Sequence, residues 1–244
     1  MCFTIEVHLT RKAIEERFSV DTSALYDFDF NYFYKAFSNP LIPVIDQQDP
    51  EKVKLSQWGL IPSWVSDRQK AAQIRRGTYN ARSESLAEKP SFRGALKRGR
   101  CLVVAHGFYE WQLVDGIRIP WYITLKEDGP LAFAGLSDQW TDPETGEILH
   151  SFSIITTAAN PLMAKIHNTK KRMPVILNPG QEREWIGETR SGEASTDHRQ
   201  YLIPFDEKGM RAHTVSPLIS KNDTDPGNPD LIKSYSYPSP GNLF

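Results

Sequence analysis

The sequence predicts an α+β fold in which a mixed, mainly antiparallel sheet curls into a barrel-like core with short peripheral helices. Three observations carry that prediction. Strand-like runs rich in β-branched and aromatic residues recur from the N-terminus to beyond residue 210, and turn signals separate them. The helical stretches between them are short. With 244 residues, 39% hydrophobic and 24% charged, the chain can bury one full core, and no segment has the composition of a linker between two. One domain over residues 1–220 and an irregular tail over 221–244 are therefore expected, the tail because of Pro226, Pro229, Pro238 and Pro240.

Taken in order, Cys2 to Val7 reads as a strand that tethers the N-terminus inside the fold. Thr10 caps a helix to Phe18 whose Ile14 and Phe18 share a face. Ser19 to Tyr34 is acidic and aromatic and reads as a loop. Strands are expected at Phe33 to Phe37, Leu41 to Ile45 and Val53 to Leu60. A polar helix over Asp67 to Arg75 ends at Gly77. Short helices follow from Ser83 to Ala87 and from Ser91 to Arg98. Arg100 to Trp111 is expected as one long central strand. Val114-Asp115-Gly116-Ile117 signals a hairpin into Trp121 to Leu125. Strands at Leu131 to Leu136 and Ser151 to Thr157, a helix opened by Asn160-Pro161, a strand at Met173 to Leu177, a helix from Pro179 to Ile186 and a last strand at Arg211 to Val215 complete the set.

Composition narrows the function. No apolar run approaches a membrane span, and the N-terminus lacks a basic stretch followed by an apolar one. A soluble, monomeric cytoplasmic protein is expected, nucleoid-associated in a bacterium. The formal net charge of −1 gives no global field for DNA, but Arg68 to Arg100 holds ten basic residues against Glu84 and Glu88. Lys165, Lys170, Lys171 and Arg172 form a second cluster. Both could follow a phosphate backbone or be solvated faces. Of the two tryptophans in Trp58-Gly59-Leu60-Ile61-Pro62-Ser63-Trp64, Trp58 is expected in the core, and Trp64 is the candidate platform for an unstacked base. Cys2 and Cys101 make neither a disulfide framework nor a zinc site, and the histidines lack metal-ligand spacing, so no metal is expected.

Cys2 carries the chemistry. Removal of Met1 would leave a free α-amine, titrating near ~7.7–8.0, beside a thiol titrating near ~8.5: a 1,2-aminothiol. With an aldehyde such a pair condenses to an imine that the thiol closes to a thiazolidine; the thiolate alone could instead attack an acyl group. Glu110, between Tyr109 and Trp111 at the end of a buried strand, is either solvent-facing or a carboxylate lifted by desolvation toward general acid–base use at neutral pH.

Together Cys2, Trp58 to Trp64, Asn80-Ala81-Arg82-Ser83-Glu84, Gly107-Phe108-Tyr109-Glu110-Trp111 and Ile166-His167 with Arg172-Met173-Pro174 resemble the SRAP (SOS-response-associated peptidase) family, whose members shield abasic sites in single-stranded DNA. The resemblance implies a β-rich SRAP domain, loss of Met1 and a covalent thiazolidine crosslink between Cys2 and the aldehyde of an abasic site, with no cofactor. By the same resemblance Glu110 moves protons, His167 assists sugar ring opening and reversal, Asn80 holds the adduct and Arg82 grips a phosphate. Trp64, Lys170, Lys171 and Arg172 are the further DNA contacts. The same constellation also reads as a cysteine peptidase acting through Cys2, self-removal of Met1 being one instance. Three departures stand out: Phe3-Thr4 in place of Gly-Arg, Asn168 to Lys171 inserted between His167 and Arg172, and Trp64-Val65 in place of a tryptophan pair.

Overall fold

The computed structural model describes residues 2–187 and 198–237. Twelve strands lie among them: β1 (Thr4–Glu6), β2 (Tyr34–Lys35), β3 (Leu41–Asp46), β4 (Asp49–Trp58), β5 (Asn80–Arg82), β6 (Arg100–Ala105), β7 (Gly107–Val114), β8 (Ile117–Leu125), β9 (Leu131–Thr141), β10 (Ile148–Ala158), β11 (Arg172–Pro174) and β12 (Met210–Thr214). Five short helices join them: α1 (Arg11–Phe18), α2 (Arg68–Arg75), α3 (Pro90–Arg98), α4 (Pro161–Ile166) and α5 (Pro179–Trp185). The expected barrel is present. Strands β10, β4, β3, β6 and β9 pair in a ring that closes because β9 pairs back onto β10, and closure removes the sheet edges. A second, antiparallel sheet in the order β12, β8, β7, β1, β2 lies beside it.

Helix ends follow the sequence. Thr10 and Asp67 accept from the backbone N–H of Ala13 and Lys70, capping α1 and α2, each such cap being worth about 1 kcal/mol. Asp115 and Gly116, both at positive φ, form the hairpin turn between β7 and β8. Alternation along the strands feeds two apolar clusters. Leu102, Val104, Ala132 and Ala134 pack with Ile14 and Phe18 of α1, whereas Cys101, Val103, Ala105 and Phe133 pack with Ile5 and Phe108 of the second sheet.

The expected strand from Arg100 to Trp111 is two strands. The chain leaves the barrel after Ala105, bends at His106 and continues as β7 in the second sheet. A continuous apolar pattern does not reveal such a change of sheet, since both halves are buried. Phe33 to Phe37 shortens to Tyr34–Lys35 followed by a 3-10 turn at Ala36–Ser38. The helix expected from Ser83 is a single 3-10 turn, Ser83–Ser85. Asn80–Arg82, for which the sequence suggested no element, is a strand running parallel to β10. The tail runs over the second sheet: Leu231 is buried, Tyr235 N–H donates to Thr214 O at 2.8 Å and Tyr32 N–H to Pro226 O at 2.9 Å. Pro238, Pro240 and Met1 lie outside the described residues.

Candidate functional site

Four elements from distant parts of the chain converge on the N-terminus. Strand β1 pairs with β7 through Ile5 opposite Phe108 and Glu6 opposite Gly107; continuing that register would set Cys2 opposite Trp111, one residue beyond Glu110, whose charge acts on the Cys2 thiol. Period-two alternation puts Phe108 and Glu110 on one face of β7, and Phe108 shares an apolar cluster with Cys2. Tyr109 points to the other face and donates to Tyr32 O at 2.8 Å. The solvent-facing alternative for Glu110 does not hold: the side chain is buried.

Strand β5 brings in Asn80. Its amide Nδ2 donates to Cys2 O at 2.8 Å, and its buried Oδ1 has no hydrogen-bond partner among the described residues. A buried acceptor left in that condition costs free energy until a donor arrives. The fold thus holds an unsatisfied acceptor beside Cys2.

Helix α4 supplies His167. Asn160 caps the helix by accepting from Met163 N–H at 2.8 Å, Pro161 sits in its first turn, and His167 ends it by donating its backbone N–H to Met163 O at 2.7 Å. The four inserted residues do not carry His167 away. Asn168 forms a pair of hydrogen bonds with the backbone of Leu113 in β7, accepting from N–H at 3.0 Å and donating to O at 2.8 Å. Lys171, at φ 49°, turns the chain back so that its N–H reaches His167 O at 2.8 Å. His167 Nδ1 then lies 2.8 Å from Arg172 O and 3.8 Å from Glu110 Oε1. A bond to a carbonyl fixes the hydrogen on Nδ1 and leaves Nε2 as the basic nitrogen.

Electrostatics separate the groups. Burial pushes the Glu110 carboxyl up to about 7, against the pull of the Trp111 backbone N–H, so near neutral pH the acid and the carboxylate are both populated. Burial holds His167 below the usual imidazole range, against the raising effect of its bond to Arg172 O. The imidazole is neutral at pH 7. Burial, and secondarily the Glu110 charge, raise the Cys2 thiol well above its usual value, and its Sγ rests 3.8 Å from Thr4 O. The thiol is therefore protonated at neutral pH.

The candidate DNA contacts divide. Arg82, Lys170 and Lys171 are exposed. Arg172 is not available as a phosphate ligand in the same way: its guanidinium forms a bidentate pair with Glu84 at 2.5 and 3.0 Å and donates to Thr156 O at 2.6 Å. It ties β11 and the turn after β5 to β10, a role its place in a basic cluster did not signal. Trp64 is 51% exposed, with Lys70 Nζ 5.4 Å from its ring centroid. Trp58 is core, as expected, stacked on Phe152 and donating to Tyr79 O at 2.9 Å. His106 belongs to a separate network with Glu6, Tyr122 and Asp128.

A barrel flanked by an antiparallel sheet, with Cys2 buried beside an asparagine, a raised glutamate and a lowered histidine, defines an α+β protein with a candidate nucleophile near the start of the chain. The model of the SOS response associated peptidase (SRAP) family matches residues 1–222, and the chain belongs to that family. It is 38% identical over 225 residues to the abasic site processing protein YoqW of Bacillus subtilis, covering 91% of this chain and 94% of that protein. It is 34% identical over 201 residues to the abasic site processing protein HMCES of Xenopus tropicalis, covering 73% of this chain and 58% of that protein. A crystal structure of a Bacteroides thetaiotaomicron protein superposes with a TM-score of 0.86 at 33% identity, over 96% of this chain and all of that one.

Proposed function

We propose that this protein processes abasic sites in single-stranded DNA by forming a covalent crosslink through Cys2. The observation that carries the reading is the meeting of Asn80, Glu110 and His167 at Cys2, in a chain similar to proteins named for abasic site processing. Once Met1 is removed, the Cys2 α-amine attacks C1′ of the ring-opened sugar, and the carbinolamine loses water to give an imine. Glu110 in its acid form gives the proton that leaves with that water. The nitrogen keeps its hydrogen, so the imine is formed as the iminium; the thiol then adds to the iminium carbon, its proton passes to the Glu110 carboxylate left by the first step, and the electron pair of the C=N bond returns to nitrogen. The product is a thiazolidine plus one water, with no change of oxidation state.

The protonation states favour this order. A thiol held protonated is a poor first nucleophile, and the amine is the better one. The same property counts against a cysteine peptidase, which needs a thiolate to attack the peptide carbonyl. Asn80 Oδ1 accepts from the amine, and His167, neutral with Nε2 basic, assists sugar ring opening and the reverse reaction. We assign the phosphate contacts to Arg82, Lys170 and Lys171, with Trp64 as a base platform at the edge of the Arg68 to Arg100 cluster. Among the described residues no helix is long and apolar enough to cross a membrane; we infer a monomer acting on DNA in the cytoplasm.

The test is an oligonucleotide with one abasic site, incubated with the protein and run on a denaturing gel. A heat-resistant shifted band that Cys2→Ala abolishes is expected. A band that survives Cys2→Ala would place the adduct on another residue and overturn the reading.

A further inference from the structure

Beside Cys2 the chain builds a feature that the crosslinking chemistry does not use. Phe3, which follows the nucleophile, stacks on Phe37 with ring centroids 5.0 Å apart at 29°. Tyr79, which precedes Asn80, meets both rings edge-on, at 5.4 Å from Phe37 and 6.4 Å from Phe3. Phe3 and Tyr79 are largely covered, yet Phe37 is 66% exposed. That exposure leaves the face of a ring beside Cys2 open to a stacking ligand.

The ring is held rather than loose. Its turn, Ala36–Ser38, is pinned by Ala36 N–H to Phe3 O at 2.9 Å and closed by Asn39 at φ 49°, whose N–H donates to Ala36 O at 2.9 Å. Tyr79 Oη donates to Asn39 Oδ1 at 3.2 Å. A cation adjoins the group. Arg75 packs against Tyr79 where the two cross Gly59, and a methyl group at Gly59 would lie 2.5 Å from Arg75 Cγ and 3.0 Å from Tyr79 Cε1. Arg75 Nε is buried with no hydrogen-bond partner among the described residues. A partly exposed arginine beside a fixed aromatic group has the composition of a nucleotide subsite: a ring for the base and a cation for the phosphate.

We propose that Phe37, backed by Phe3 and Tyr79, stacks the nucleobase next to the abasic site while Arg75 holds the adjoining phosphate. This rests on the reading of Cys2 as the crosslinking residue, because Phe3 and Tyr79 each lie one residue along the chain from a member of that site. It gives a physical role to Phe3 and supplies affinity through stacking where Thr4 brings no cation. The partner is single-stranded DNA with a base on the side of the lesion that faces Phe37, purines stacking better than pyrimidines because of their larger face.

The test uses oligonucleotides in which the base on the 5′ or the 3′ side of the abasic site is replaced by a tetrahydrofuran spacer, which has no aldehyde. In the wild-type protein, removing the base on one side slows crosslinking at sub-saturating DNA about ten-fold, within the span expected for one base–aromatic stack. Phe37→Ala removes that dependence, Phe37→Trp keeps it, and Tyr26→Ala, an exposed aromatic elsewhere, leaves it unchanged. A second arm measures binding to an oligonucleotide whose lesion is itself a tetrahydrofuran, which cannot crosslink. There Phe37→Ala weakens binding about ten-fold, and Arg75→Gln lowers the slope of log affinity against log salt by about one. Equal base dependence in wild type and Phe37→Ala, with crosslinking intact, overturns the platform and leaves the Cys2 reading standing. Loss of binding in Phe37→Ala when the wild type does not crosslink does the reverse.

Discussion

Two buried carboxylate–histidine pairs flank the ladder between β1 and β7, one at each end, and they are built for opposite purposes. At one end Glu6 accepts from Tyr122 Oη at 2.9 Å and from His8 N–H at 2.6 Å, with His106 Nδ1 at 2.8 Å; His106 Nε2 lies 3.2 Å from Asp128. Those contacts raise the His106 imidazole, the Glu6 bond most of all, so the fold favours its protonated form. At the other end His167 gives its Nδ1 to Arg172 O and stands 3.8 Å from Glu110. Burial dominates there and shifts the two groups toward neutrality, Glu110 up and His167 down. A histidine bonded to a carboxylate is drawn toward its charged form. A carboxylate held chiefly by burial keeps a proton that it can give up near neutral pH, and such a group can catalyse.

The largest expected effect breaks the second pair. Glu110→Gln keeps the shape of the side chain and removes the titrating group; crosslinking should slow by about two to three orders of magnitude, the usual contribution of a general acid–base, with no loss of thermal stability. A rate within a few-fold of wild type on a time-resolved gel would show that Glu110 is a spectator. The same change on the first pair should do the opposite. Glu6→Gln is expected to destabilise the fold by about 2–3 kcal/mol in urea unfolding, as loss of a charged hydrogen-bond acceptor does, while the crosslinking rate of the folded fraction stays near wild type.

Titration sharpens the contrast next. His106 has a raised folded-state pKa, so its contribution to stability is complete below its unfolded value near ~6.5 and fades as pH rises through the folded value. His106→Gln should therefore cost most in acid and progressively less above neutrality. His167 has a lowered folded-state pKa, so the fold favours its neutral form and stability falls as pH drops below ~6.5. His167→Gln should flatten that acid-side fall. Glu110, raised from 4.5 to about 7, makes the wild type lose stability across that interval as pH rises, and Glu110→Gln should abolish the loss. Denaturation midpoints for the three variants from pH 5 to 8 read all of these signs, and parallel curves for His106→Gln and His167→Gln would contradict the distinction. The smallest effect belongs to the insertion. Asn168→Ala unties the turn from Leu113 and should cost about 1 kcal/mol of stability and a few-fold in crosslinking rate, checked by the same unfolding and gel assays.

Much of this was legible in the residues. Strand runs, the Asp115-Gly116 turn and the caps at Thr10, Asp67 and Asn160 are local signals, and the structure places each close to its expected position. The break at His106 was not legible, because the sheet to which a buried strand belongs is decided by partners far along the chain. Asn80–Arg82 becomes a strand only because β10 offers an edge that β4 leaves uncovered beyond Phe152. At the site, Cys2, Asn80, Glu110 and His167 were readable through their motifs. The engagement of Arg172 by Glu84 was not, since the two are distant in sequence and each looks like a member of a charge cluster. Phe37 was hidden for a similar reason: an aromatic in a short β-like run reads as core, and only the fold shows it facing solvent.

The most direct test of the central claim is the intact mass of the protein joined to an abasic-site oligonucleotide, measured before and after treatment with borohydride. The account predicts the chain without Met1 plus the oligonucleotide less one water, unchanged by borohydride because a thiazolidine has no carbon–nitrogen double bond to reduce. An adduct that retains Met1, or one that gains two hydrogens on reduction as an open imine would, contradicts it.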